Sequence, residues 1–139
     1  MGTWGAGTFD NDDAMDWVGD FADSQDDRLI VDSLKAVGRE LTADEYLEAP
    51  TSTSALAAAE AVAALRGKPV KDLPNELAEA LKKSRLRPDA NLLRMARDVI
   101  NIITTDARSE LKELWDDVEP ADSSEWLAAT ADLQARLAD

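Results

Sequence analysis

The sequence predicts an all-α protein, a compact single-domain bundle of about six to seven helices behind a short glycine-rich opening. Three observations point there. Apolar residues recur at i, i+3, i+4 and i+7 in segment after segment. Glycine and proline punctuate the chain into such segments. No stretch carries the period-two, β-branched pattern of a strand beyond a few residues. With 139 residues the chain fits one domain, residues 1–139, and can bury roughly two-thirds of its unfolded surface.

Residues 1–9 read as an extended opening in which glycines at 2, 5 and 7 permit tight turning, with Trp4 and Phe9 as apolar anchors. Asp10 or Asn11 then caps a first helix. Ala14, Trp17, Val18 and Phe21 form its buried stripe, and Asp12, Asp16 and Asp20 line the other side. A second helix after Ser24 buries Ile30, Leu34, Val37 and Leu41. Thr42 and Glu45 have capping-box spacing, which predicts one or two further turns up to Pro50.

Thr51–Ser54 leads into an alanine-rich helix over residues 55–65, stopped by Gly67 and Pro69. Seven alanines in those eleven positions favour helix and leave a smooth surface, so this helix is placed at the centre. Pro74 stands near the start of the next helix, which packs Leu77 and Leu81 and ends at Lys82-Lys83, where cations suit the helix dipole. Pro88 opens another, with Leu92, Leu93, Ala96, Val99, Ile100 and Ile103 on one side. The rhythm continues through Leu111, Leu114 and Trp115, which allows one long helix or two joined near Thr104–Asp106. Pro120 ends that region, and Asp122 with Glu125 starts a last helix carrying Trp126, Leu127, Leu133 and Leu137.

Charge is unevenly distributed. The first 27 residues hold eight aspartates and no base, residues 28–113 balance, and residues 114–139 carry a net −6 of the total −14. Such polarity speaks to partners and association kinetics rather than to fold. It argues against nucleic acid and anionic membranes as partners, and for a basic protein. Acids early in a helix are favoured by its dipole, but Asp20 and Asp23 lie too far along for that. They call for a basic partner or for the chain's own cluster of Lys82, Lys83, Arg85, Arg87, Arg94 and Arg97.

Cysteine and histidine are both absent, which removes disulfides, thiol nucleophiles, the commonest general base and the commonest transition-metal ligand. No apolar run nears the roughly 20 residues needed to span a bilayer. The N-terminus lacks a secretory signal, so a cytoplasmic protein is expected. The acids from Asp10 to Phe21 fail the EF-hand pattern, with Met15 where glycine is required and Phe21 where glutamate is required. A phosphate seat at the opening is opposed by the carboxylates of Asp10, Asp12 and Asp13. Neither a metal nor a cofactor is therefore expected. No pair among the many carboxylates is singled out for hydrolytic acid–base work.

The run Gly2-Thr3-Trp4-Gly5-Ala6-Gly7-Thr8-Phe9-Asp10-Asn11-Asp12-Asp13-Ala14-Met15-Asp16-Trp17 resembles the start of a bacterial family known as domain of unknown function 4259. Tyr46–Pro50 before the alanine helix is similar to that family's middle, and Glu110–Trp115 to its C-terminal part. The resemblance implies a small stand-alone protein and brings no catalytic residues with it. Trp4, Phe9, Asp10, Asn11 and Trp17 are read as a structural motif, and Asp12, Asp16, Asp20 and Asp23 as partner-binding. The functional expectation is a binding module rather than an enzyme, an immunity- or antitoxin-like inhibitor of a basic, nuclease-like protein. The alternatives are a carboxylate-dependent hydrolase or metal-dependent enzyme, and a homo-oligomeric structural module.

Overall fold

The computed structural model describes residues 5–138. Among them are seven helices: α1 Asp12–Ser24, α2 Arg28–Asp44, α3 Ala49–Leu65, α4 Asn75–Leu81, α5 Ala90–Thr105, α6 Glu110–Asp116 and α7 Pro120–Leu137. The fold is all-α and compact, and the described residues contain no strand. Trp4 lies outside them.

The alanine helix α3 is central, as its composition predicts. It touches each of the other six helices. Ala55, Ala57, Ala58, Ala59, Ala61, Val62 and Ala63 have no exposure at all. Without side chains beyond Cβ, its surface lets neighbours approach closely, and the larger residues facing it fill the space. Phe21, Ile30, Leu34, Leu77, Ile100, Ile103, Leu133 and Leu137 are fully buried around it. Each contributes roughly 1.5–3 kcal/mol of apolar burial. α3 ends in a Schellman motif at Gly67, whose φ is +90°. The Lys68 N–H reaches the Ala63 carbonyl at 2.9 Å and the Gly67 N–H the Ala64 carbonyl at 3.0 Å.

Three boundaries differ from the sequence reading. Thr42 and Glu45 do not cap a new helix: α2 runs on to Asp44, Thr42 donates back to the Gly38 carbonyl, and Glu45 is a left-handed cap at φ 55°. α3 starts at Ala49, with Pro50 in its first turn, so Thr51–Ser54 lies inside the helix rather than before it. Its exposed first N–H groups are taken by acids from other helices. Glu40 of α2 accepts from the Glu48 N–H at 2.6 Å and the Thr51 hydroxyl at 2.6 Å, and Glu110 of α6 accepts from the Ala49 N–H at 2.7 Å. Pro120 opens α7 rather than ending α6, the first-turn position that suits a residue without an N–H. Leu127 on that helix is 48% exposed and takes no part in the core.

The open question at Thr104–Asp106 resolves into two helices. Ser109 joins them: its buried hydroxyl donates to the Ile103 carbonyl at 2.7 Å and accepts from the Lys112 N–H at 3.3 Å. One side chain thus satisfies the end of α5 and the start of α6. An isolated parallel bridge between Leu47 and Ser109 ties this joint to the entry of α3. No helix among the described residues is long and apolar enough to cross a membrane.

Candidate functional site

The described part of the opening, from residue 5 on, is folded rather than extended, and residues 1–4 lie outside the described residues. Residues 5–10 form bends and a turn closed by the Asp10 N–H on the Gly7 carbonyl at 3.1 Å. The Asp10 carboxylate accepts the Gly7 N–H at 3.0 Å. A Cβ at Gly5 or at Gly7 would stand 2.8 Å from Asp10 Oδ2, so a side chain at either position would have to displace that carboxylate. Asn11, rather than Asp10, caps α1. Its Oδ1 accepts the Ala14 N–H at 2.8 Å and its Nδ2 donates to the Thr8 carbonyl at 3.2 Å. Phe9 packs half-buried against the core. Trp17 is buried, stacks on Phe21 at 5.6 Å, and donates its indole N–H to the Ser33 hydroxyl at 2.9 Å.

This turn forms one wall of a cleft of about 310 Å³. Gly7 and Thr8 line it beside Asp12 and Asp13 from the first turn of α1. α3 supplies Thr53 and Leu56, and Trp115 of α6 and Trp126 of α7 complete the lining. The two indoles are stacked, 5.8 Å apart and 8° from parallel. Trp126 is 4% exposed, whereas Trp115 is half-buried. The acidic N-terminal and C-terminal segments, far apart in sequence, therefore meet at one place.

Behind Thr8 lies a buried ion pair. The Thr8 hydroxyl donates to Glu60 Oε2 at 3.2 Å, and Arg136 grips the same carboxylate with Nη1 at 2.8 Å and Nη2 at 3.1 Å. Arg136 Nε also reaches Asp132 at 2.8 Å. Burial works against the Arg136 charge, but the hydrogen bonds and charges of Glu60 and Asp132 outweigh it and raise its pKa above the ordinary arginine value. Sequence reasoning missed this pair. The signal was available, because Glu60 is the lone charge in the seventeen residues of α3 and a buried helix admits a charge only with a partner.

Asp12, Asp16, Asp20 and Asp23 are all exposed. None forms an ion pair among the described residues, and the basic cluster does not reach them. Lys82 pairs with Glu79, Arg94 bonds Asn91, and Arg97 donates to the Leu137 carbonyl at 2.8 Å. The link from α2's start to this cluster is Asp27, which accepts from the Ser84 hydroxyl and the Arg85 backbone N–H. Only Asp12 of the four touches the cleft. No three acidic side chains among the described residues converge as metal ligands would.

The family model of the domain of unknown function DUF4259 matches residues 2–129. The chain belongs to the DUF4259 family. No curated protein and no solved structure matches it. The DUF4259 match covers the glycine turn, the α1 aspartates and both cleft tryptophans, so the whole cleft lies within the family's span.

Proposed function

We propose that this DUF4259 protein is a small acidic binding module, an inhibitor of the immunity or antitoxin kind, that docks a basic protein through the aspartate face of α1. One observation carries the reading: Asp12, Asp16, Asp20 and Asp23 are exposed and lack ion-pair partners among the described residues, in a chain with 15 lysines and arginines. The ion pairs that do form join near neighbours, apart from Arg136 with Glu60. Unsatisfied like charge along a helix costs self-repulsion, and a basic partner converts that cost into attraction. A one-sign face also accelerates encounter by roughly 10–10³-fold, an effect that falls with salt.

The test begins with capture from a native lysate by tagged protein, beside an Asp12/Asp16/Asp20→Asn variant. Association rates of the purified partner are then measured at low and high ionic strength. The reading expects a basic partner whose association slows with salt, and slows again with the variant at low salt. A partner that binds both proteins at equal, salt-independent rates removes the acidic face from the account.

A further inference from the structure

We propose that the cleft between the glycine turn and the Trp115–Trp126 pair is a receptor for one guanidinium group, the tip of a partner's arginine. This deepens the docking reading above and rests on it for the identity of the partner, though not for the chemistry of the cleft. Four features of the cleft select a cation. Two lining residues, Asp12 and Asp13, are acidic, and none of the described lining residues is basic. Two backbone donors that could serve an anion are already engaged, the Gly7 N–H by Asp10 and the Ala14 N–H by Asn11. The Thr8 hydroxyl is turned to Glu60. Arg136, the cation behind Thr8, is spent on Glu60 and Asp132 and does not line the cleft.

The aromatic wall and the size narrow the choice to guanidinium. A volume of about 310 Å³ lies at the small end for ligand sites and suits one side chain rather than an extended ligand. A planar, weakly hydrated cation stacks on an indole face and presents forked N–H donors to carboxylates, whereas an ammonium is a compact, strongly hydrated point charge. Trp115 supplies the half-buried ring, and the buried Trp126 stacked against it keeps that ring in place. Asp12 and Asp13 stand at adjacent positions of the first α1 turn as the acceptors.

The probe is N-acetyl-arginine N-methylamide, titrated into the full ¹⁵N-labelled chain while the indole N–H resonances are followed. Those of Trp115 and Trp126 should move together along one saturable curve. Trp17, whose N–H is held by Ser33 outside the cleft, should stay put as an internal control. The neutral isostere N-acetyl-citrulline N-methylamide should shift nothing. Asp12→Asn/Asp13→Asn should weaken the arginine probe at least about tenfold. These two positions are exposed, so the remaining spectrum should report an unchanged fold. Trp115→Leu should likewise weaken binding, read at the Trp126 resonance.

Absence of a saturable shift overturns the proposal, as does equal binding of citrulline or of the Asn variant. If the probe binds but no basic partner is found, the cleft chemistry stands and the docking reading falls. If a partner docks on α1 while the probe leaves both indoles unmoved, the reverse holds.

Discussion

Glu60 and Arg136 lie 76 residues apart and meet as a two-pronged ion pair, with their side chains only 3% and 14% exposed. The contact fastens α7, the last helix, onto the middle of α3. Removing one partner from a buried pair leaves the other charged without compensation, at a cost of about 3–5 kcal/mol, whereas replacing both with apolar residues is often neutral. Arg136→Met should therefore unfold at markedly lower urea concentration. Glu60→Leu/Arg136→Met should recover most of the loss. An Arg136→Met midpoint equal to wild type would mean that the pair contributes nothing.

What was legible follows from where the satisfying groups reside. α1 was read correctly because its cap, Asn11, and its stripe from Ala14 to Phe21 are local in sequence. The start of α3 was misread because its N–H groups are met by Glu40 and Glu110, acids that only the tertiary fold brings there. The two-helix break at Ser109 combines a local cap, Ser109 on Lys112, with a distant bridge to Leu47 that no local pattern encodes. The cleft was half-legible. Asn11, Asp12, Trp115 and Trp126 each stood out, but their convergence depends on how α6 and α7 fold back past α1. The opening was expected to be extended because glycine spacing alone does not show that Asp10 would bend it.

The joint between α5 and α6 should respond to acid in a defined window. Side-chain hydrogen bonds from Arg108, at 2.9 and 3.0 Å, and then the Arg108 backbone N–H at 2.8 Å lower the Asp106 pKa from 3.8 to about 2. A carboxyl depressed on folding contributes stability that is present above its unfolded pKa and lost as pH falls through the folded value. Asp106→Asn should thus be less stable than wild type near neutral pH, and the difference should shrink as pH falls below 3.8 and vanish only below about 2. Urea midpoints of both proteins across that range test it. A gap that is constant with pH would assign the effect to packing instead.

Gln25 closes α1 in the left-handed conformation, at φ 50°, with its N–H on the Phe21 carbonyl at 2.8 Å. A side chain there costs roughly 1–2 kcal/mol, which glycine avoids while giving up some unfolded-state entropy. The residue is exposed, so no packing is lost. Gln25→Gly should raise stability by up to about 1 kcal/mol, seen as a higher thermal midpoint with no change in helix content. A fall in midpoint would show that the chain entropy outweighs the relieved strain.

The glycine turn makes the last prediction, and it bears on the cleft. At Gly7 an added Cβ would sit 2.8 Å from Asp10 Oδ2, and the carboxylate that blocks it is the one holding the turn closed through the Gly7 N–H. Gly7→Ala must therefore push the exposed Asp10 carboxylate away and weaken that bond, at a cost of about 0.5–1.5 kcal/mol. Asp10→Ala removes both the obstacle and the bond. In that background the further change Gly7→Ala should cost much less, so the two substitutions should be strongly non-additive in a double-mutant cycle. The Trp115 indole resonance should shift in Gly7→Ala, because Gly7 and Trp115 line the same cleft. Additive stabilities, with an unmoved Trp115, would mean that the glycines are needed for something other than the approach of Asp10.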